Sequence, residues 1–388
     1  MKRILSIDIY RGLVMFLMMA ECLRLYAVSE SHPESSFWSF LAFHQSHVPW
    51  VGCSLHDLIQ PSFSFLVGVA LPFSLFSRKN KGQSSTQIWI HTLKRALILI
   101  LLGVFLRSMH SSMTNWTFED TLSQIGLGYP FLLLLANKSY KWIWVSHALL
   151  LVSYFLFFAV YPLPDANFNY ELIGLNKDWE HNLSGFAGHW NKNTNAAWAF
   201  DTWFMNLFPR EEPFIANGGG YSTLSFIPTL GTMIIGLIAG KQVYEKPKVN
   251  KLIKQQITLG LILIALGLTF HFIGINPIVK RIWTPSWVLF SGGICFAILA
   301  LFTYLVDQKN IVKPFNWLKI IGMNSIAAYV IAHVAEGFID NTFQIHLGEN
   351  YANFLGGGYH TLVSGALILL VEWLLLKWMF KKGIFIKI

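Results

Sequence analysis

The chain has 388 residues, of which 54% are hydrophobic and only 13% are charged. A soluble domain carries about 25% charged residues, so this composition excludes an ordinary soluble globular protein. The formal net charge of +9 would suit a nucleic-acid partner, but the placement of the basic residues argues against that class.

Apolar runs of membrane-spanning length recur from end to end. The first follows a basic start like that of a signal peptide, but Asp8 and Arg11 interrupt it and no cleavage site follows, so we read it as a retained helix. The predicted spans lie at about 10–28, 55–77, 95–110, 121–137, 143–162, 222–240, 256–275, 285–306, 317–337 and 359–380. We therefore predict an all-α polytopic integral membrane protein with about ten transmembrane helices, as a single domain over residues 1–388.

Lysine and arginine fall mostly in the loops on one side of these spans. Residues 78–95 hold five of them, and residues 241–254 hold five more. By the positive-inside rule, both termini are predicted to be cytoplasmic. The basic charge therefore reports membrane topology, and we expect no nucleic-acid partner.

The stretch "HQSHVPWVGCSLHDLIQPSF", residues 44–63, leads from an outer loop into the second span. At about 100° per residue, a polar stripe then continues along one face of the helix. Polar groups are costly against lipid, so this stripe is predicted to line an enclosed cavity. Hydrogen bonding between helices is the alternative explanation. The stripe consists of Asp57, Gln60, Ser64 and Gly68.

A hydrophilic insert at about residues 163–220 lies on the outer side in this topology. Its aromatic and histidine residues suit the faces and hydroxyls of a sugar, or they form a structural cap over the helix ends. These residues are Trp179, Trp190, Trp198, Trp203, His181 and His189.

Polar groups recur in the ninth span. His333, Glu336 and Asp340 share a face near its outer end, whereas Asn324 lies on the opposite face near the inner end. Glu21, in the first span, is a further carboxylate inside the membrane. Such groups are candidates for a proton relay.

Several familiar signatures are absent from the sequence: there is no P-loop, no HExxH and no GxSxG elbow. The three cysteines are scattered and indicate neither a disulfide framework nor a metal cluster. Histidines beside a carboxylate leave general-base or acyl-transfer chemistry open, together with a proton-coupled transport site.

Five segments resemble the heparan-α-glucosaminide N-acetyltransferase family, which includes the lysosomal enzyme and bacterial amino-sugar relatives. The most specific is "HVPWVGCSLHDLIQPSFSFLVGVAL", which is similar to the pattern H-x-x-W-x-G-x-x-x-x-D-L-x-x-P-x-F-x-F-x-x-G. The others are "RILSIDIYRGLVMFLMM", "LGTMIIGLIAGKQV", "GMNSIAAYV" and "FKKGIFIKI", and all five stand in family order.

The resemblance implies a transmembrane acetyltransferase that moves acetyl from cytoplasmic acetyl-CoA to the amine of a glucosamine-like amino sugar on the far side. It places His47 on the catalytic histidine and Asp57 on its partner aspartate. Candidate relay or acceptor residues are Glu21, His44, His333 and Glu336. Candidate donor-binding residues are Arg3, Asp8, Arg11, Gln60, Ser64, Gly68, Gln124, Asn324 and Ser325, with Lys94 and Arg95 at the basic inner rim.

The same resemblance leads to expectations about the co-substrate, the membrane and the oligomeric state. Acetyl-CoA is the co-substrate, no metal is required, and the protein lies among lipids in a bacterial cytoplasmic (inner) membrane, with a homodimer left open. Two rival functions stay open: a proton-coupled sugar permease, and an acyltransferase acting on a cell-envelope polymer. A permease of the inverted-repeat type would show broken helices in two related halves, which the sequence does not display.

The chain also departs from the family pattern. Cys22, beside Glu21, stands where the family often has an asparagine that assists the histidine. Ser123 and Gln124 follow Leu122 where the family has Leu-Gln-Arg, so the arginine is missing. His333 is offset by one residue from a histidine of the lysosomal enzyme.

Overall fold

A computed structural model of the protein describes residues 4–165, 167–245 and 247–386. This part of the chain is helical, and its only β-type pairing is an isolated bridge between Val51 and Val279, which confirms the predicted all-α class. The α-helices are α1 (Leu5–Met19), α2 (Leu25–Ser31), α3 (Ser36–Gln45), α4 (Ile59–Asn80), α5 (Ser85–Ser108), α6 (Thr121–Ala136), α7 (Tyr140–Ala159), α8 (Ala196–Phe204), α9 (Phe226–Tyr244), α10 (Val249–Phe272), α11 (Pro285–Phe302), α12 (Asn316–Gly322), α13 (Ser325–Leu347) and α14 (His360–Lys381).

Within the described ranges, seven helices are long and apolar enough to cross a membrane. Two bent helix pairs, Leu5–Leu23 with Leu25–Ser31 and Lys313–Gly322 with Ser325–Leu347, raise that number to nine if each pair is one span. The remaining predicted span is α6, an apolar helix of only 16 residues. The polytopic membrane class is therefore consistent with the structure, whereas the side on which the termini lie stays a prediction.

Both bends occur where the sequence predicts an uninterrupted span. The first pair bends by 41° and the second by 72°. Arg24 has a left-handed conformation (φ 46°) between a short 3₁₀ turn, Ala20–Leu23, and α2, and this conformation cannot continue a right-handed helix. Hydropathy averages over a window, so it does not detect a single residue that redirects the chain.

The chain divides into two compact units, which we describe separately. The terminal unit comprises Met1–Val48, Cys53–Phe63 and Ile298–Ile388, and the central unit comprises Pro49–Gly52 and Ser64–Ala297. Each unit is assembled from segments far apart in sequence, and the predicted single domain stays a prediction.

Close packing of α1 against α12 organises the terminal unit. A Cβ atom on Gly12 would collide with the carbonyl oxygen of Leu318, and one on Gly322 with the carbonyl oxygen of Asp8. The backbones of the two helices therefore touch where both residues lack a side chain. This contact gives a packing reason for the glycines of "IYRG" and "GMNS".

The hydrophilic insert packs in the central unit. Trp190 is fully buried beside Tyr154 and Phe158, and its carbonyl oxygen accepts a hydrogen bond from Trp50 Nε1 at 3.0 Å. Trp203, in contrast, is 60% exposed. Trp190 therefore has a structural role in the cap over the helix ends. Trp50, which is part of the H-x-x-W-x-G pattern, packs in the same core.

Gly68 lies at the contact between α4 and α9 in the central unit. A Cβ atom on Gly68 would collide with the carbonyl oxygen of Met233 and lie 2.6 Å from the backbone nitrogen of Leu237. Gly68→Leu should therefore prevent these helices from closing and cost about 3 kcal/mol of stability or more. Thermal unfolding of the purified protein measures this loss.

The matched control is Gly337→Leu, because Gly337 lies on α13 with open space beside its Cα. It should unfold near the wild-type temperature. Equal stability of the two variants would contradict the packing role of Gly68.

Candidate active site

His47 and Asp57 meet in the terminal unit. His47 Nδ1 lies 2.8 Å from Asp57 Oδ1, although the two residues are ten positions apart in sequence. The Asp57 side chain is only 1% exposed, whereas that of His47 is 33% exposed. The structure thus brings together the two residues that the resemblance pairs, with a partly exposed imidazole beside a buried carboxylate.

A capping arrangement at the start of the second span holds Asp57 in place. The backbone N–H of Ser54 donates to Asp57 Oδ2 at 3.0 Å, and the backbone N–H of Asp57 donates to Ser54 Oγ at 3.3 Å. This reciprocal pair is a capping box with Asp at its last position. The backbone N–H of Val48 adds a third donor, at 3.3 Å from Oδ2. The carboxylate is therefore fixed by the backbone of the same turn that begins the helix.

This anchoring decides which imidazole nitrogen can react. An ionised carboxylate only accepts hydrogen bonds, so Nδ1 of His47 carries the proton that it donates to Asp57. In the neutral ring Nε2 then has the lone pair. A nitrogen so prepared can act as a general base or as a nucleophile.

The other candidate relay residues are held by different contacts. Glu336 pairs with Arg24 at 2.9 Å, and His333 Nδ1 lies 2.8 Å from the carbonyl oxygen of Tyr329 on its own helix. His44 Nδ1 accepts from the backbone N–H of Leu55 at 3.2 Å. His44 thus supports the loop that carries His47. Relay roles for all three stay predictions.

Five of the candidate donor-binding residues lie in the terminal unit. Arg11 pairs with Asp8, at 3.4 Å between Nη1 and Oδ1. Gln60 is half-buried near the start of α4, and Ser325 is half-buried at the start of α13. Arg3 lies outside the described residues.

The fifth is Asn324, which has a clear structural contact. Its Nδ2 donates to the carbonyl oxygen of Ile384 at 2.7 Å, and its Oδ1 accepts from the backbone N–H of Ile386 at 3.0 Å. This side chain, 1% exposed, fastens the C-terminal segment at the bend between α12 and α13.

The remaining donor candidates lie in the central unit, where packing accounts for two of them. Gln124 donates to the carbonyl oxygen of Ser222 at 3.2 Å and accepts from Thr229 Oγ1 at 2.8 Å, so it joins α6 to the start of α9. Gly68 has the helix contact already described. Ser64 is fully buried on α4. Donor-binding roles for these residues stay predictions.

The residues that hold His47 and Asp57 in place were not predicted from the sequence. The Ser-x-x-Asp spacing of Ser54 and Asp57 is a capping signal that precedes an apolar run, and it was available in the sequence. Gln45 was less visible: its Nε2 donates to the carbonyl oxygen of Ala20 at 2.7 Å, and its Oε1 accepts from the backbone N–H of Leu25 at 2.6 Å. Nothing local in the sequence predicts that long-range contact.

In the part of the chain that the structure describes, no three His, Cys, Asp or Glu side chains come together as metal ligands. The fold and the site define a class: polytopic, all-helical membrane proteins with a histidine–aspartate pair at the end of a span.

Comparison with known proteins finds similarity to an N-acetyltransferase from two species. The chain is 22% identical to heparan-alpha-glucosaminide N-acetyltransferase from Homo sapiens and 24% identical to the same enzyme from Mus musculus, each over an alignment 428 positions long. Each comparison covers all of this chain but only 60% and 61%, respectively, of the relatives' lengths. No protein-family model matches the chain. These two relatives support membership of the heparan-alpha-glucosaminide N-acetyltransferase family at a distant level.

Proposed function

We propose that this protein transfers an acetyl group from acetyl-CoA to the amine of a glucosamine-like amino sugar, with donor and acceptor on opposite sides of the membrane. We also propose that the protein lies in a bacterial inner membrane. The observation that carries it is the contact between His47 Nδ1 and the buried carboxylate of Asp57 at 2.8 Å, within the segment of strongest family resemblance.

The geometry suits the chemistry of this reaction. Acetyl transfer from a thioester needs a group that attacks the carbonyl carbon, or a base that frees the acceptor's amine for attack. Nε2 of His47 can do either, because Asp57 keeps the ring proton on Nδ1. The carboxylate also stabilises the positive charge that the imidazole acquires during the reaction.

The direct test is thiol release from acetyl-CoA by the purified protein, with and without glucosamine. A transferase should release CoA thiol and form N-acetylglucosamine in equal amounts. A permease would release no thiol. An acyltransferase for an envelope polymer would release thiol only when the polymer replaces the free sugar.

Sidedness gives a second, independent prediction. A CoA nucleotide with several phosphates does not cross hydrocarbon unaided, so each substrate should be used from one side only. In sealed vesicles of uniform orientation, acetyl-CoA on the lysine-rich side should acetylate glucosamine enclosed on the other side. Detergent should abolish the requirement for sidedness.

Product that forms only when both substrates share one side would contradict the transmembrane arrangement. Unmodified glucosamine crossing the membrane would instead favour the permease.

A further inference from the structure

A second imidazole stands beside the first in the terminal unit. The ring centroids of His47 and His56 are 4.4 Å apart, with 53° between the ring planes. His56 Nε2 lies 3.4 Å from Glu21 Oε1. Each imidazole thus lies beside a carboxylate: Asp57 contacts His47, and Glu21 contacts His56.

The two carboxylates differ in their access to solvent. The Asp57 side chain is 1% exposed and surrounded by backbone donors, whereas that of Glu21 is 54% exposed. The carboxylate of Asp57 is shielded from water, whereas the exposed carboxylate of Glu21 connects His56, itself only 10% exposed, to solvent. The first pair suits a fixed tautomer, and the second suits proton release.

Long-range contacts bring Glu21 to this place. Glu21 lies on the 3₁₀ turn Ala20–Leu23, which ends α1. The side chain of Gln45, two residues before His47, bridges the carbonyl oxygen of Ala20 and the backbone N–H of Leu25, so it ties this turn to the histidine loop. The neighbouring Cys22 points elsewhere, with its Sγ 3.3 Å from the carbonyl oxygen of Gly365. Of the two residues near the family's asparagine position, Glu21 therefore serves the histidines.

The reaction needs both a nucleophile and a base, and a single imidazole nitrogen cannot be both in the same step. Because Nδ1 of His47 faces Asp57, only Nε2 can take part in the chemistry. If Nε2 bonds to the acetyl carbon, it has no lone pair left for a proton. The acceptor, however, arrives as an ammonium ion and must lose a proton before its nitrogen can attack.

We propose that His56 is a further catalytic residue, the base that takes the proton from the acceptor ammonium, and that Glu21 is its positioning residue. This inference rests on the proposed function and deepens it. His47 Nε2 attacks the thioester, so that its bond to the acetyl carbon forms as the carbon–sulfur bond breaks and CoA leaves as the thiolate. His56 accepts one ammonium proton and delivers it to water past Glu21. The freed amine attacks the acetyl carbon, the bond to Nε2 breaks, and the second nitrogen proton neutralises the thiolate.

The test compares two acceptors in His56→Gln. Glucosamine is largely protonated at neutral pH and needs a base, whereas hydroxylamine is already unprotonated and does not. We expect kcat with glucosamine to fall about 100-fold or more, the usual effect of a positioned base, while kcat with hydroxylamine changes by less than about threefold. Glu21→Gln should show the same selectivity with a smaller loss, because the neutral amide stabilises the His56 cation less.

Matched controls are His346→Gln and Glu34→Gln, which change exposed residues of the same unit. Both should behave as wild type with either acceptor. Thermal unfolding and acetyl-CoA binding, measured on every variant, separate misfolding from a chemical defect.

Equal losses with glucosamine and hydroxylamine in a folded His56→Gln protein would overturn the inference, because a merely structural role affects both acceptors. Unchanged activity with glucosamine would overturn it as well. A wild-type protein that releases no thiol with either amine would remove the proposed function itself, and this inference with it.

Discussion

His47→Ala is expected to abolish acetyl transfer while the protein stays folded. The change removes Nε2, the ring nitrogen that does not face Asp57, so turnover should fall at least about 10²–10⁴-fold, as it does when a positioned acid–base group is lost. Acetyl-CoA binding should persist, because the imidazole is small beside the donor's nucleotide and pantetheine. Thiol release and a binding titration on the same preparation measure the two effects.

Some stability is lost as well, because Asp57 Oδ1 loses its imidazole partner. A buried acceptor without a partner costs about 1–3 kcal/mol, although water can enter where His47 was one third exposed. His47→Gln, which keeps an N–H group for the carboxylate, should be more stable and equally inactive. His346→Ala, on the exposed end of α13, is the control. Near-normal turnover in His47→Ala would remove the central claim.

Asp57→Asn is expected to lower turnover by a comparable amount, by reversing the hydrogen bond to His47. Backbone N–H groups of Ser54 and Val48 point at Oδ2, so the amide oxygen must take that position. The amide NH₂ group then faces His47 Nδ1 and forces it to accept. The proton moves to Nε2, and the nitrogen needed for chemistry loses its lone pair. The expected loss in kcat is about 10⁴-fold, the size seen when a catalytic histidine is held in the wrong tautomer.

Donor affinity should change little in this variant, since the capping hydrogen bonds to Ser54 and Val48 survive. Asp178→Asn, in an exposed loop, gives the matched change of charge. If acetyl-CoA binding collapsed while the remaining turnover per bound donor stayed normal, Asp57 would be a donor-binding or structural residue.

Much of the architecture was predictable from the sequence, because hydropathy and helix capping are local properties. The helical class follows from apolar runs that must satisfy their backbone hydrogen bonds within lipid. The approach of His47 to Asp57 is also nearly local: only nine residues lie between them, and the Ser54 capping box fixes the aspartate at the start of its helix.

The contacts that depend on distant parts of the chain were not predictable. Gln45 donates a hydrogen bond to Ala20, Asn324 donates one to the C-terminal segment, and Gln124 joins α6 to the start of α9. Polar residues in predicted spans looked like ligand-binding groups because the sequence does not reveal which backbone group will satisfy them. A side chain that fastens two helices and one that awaits a ligand have the same composition and the same periodicity.

The sequence by itself thus determined the helical class and most of the apolar spans, since each is encoded within a few turns of chain, and the family resemblance predicted the histidine–aspartate pair. Only the tertiary structure decided where the first and ninth predicted spans bend, that Gly68 packs against α9, and that Glu21 rather than Cys22 meets the second histidine. These features depend on contacts between segments that lie tens to hundreds of residues apart. Such contacts produce no periodic pattern of apolar and polar residues in a single sequence.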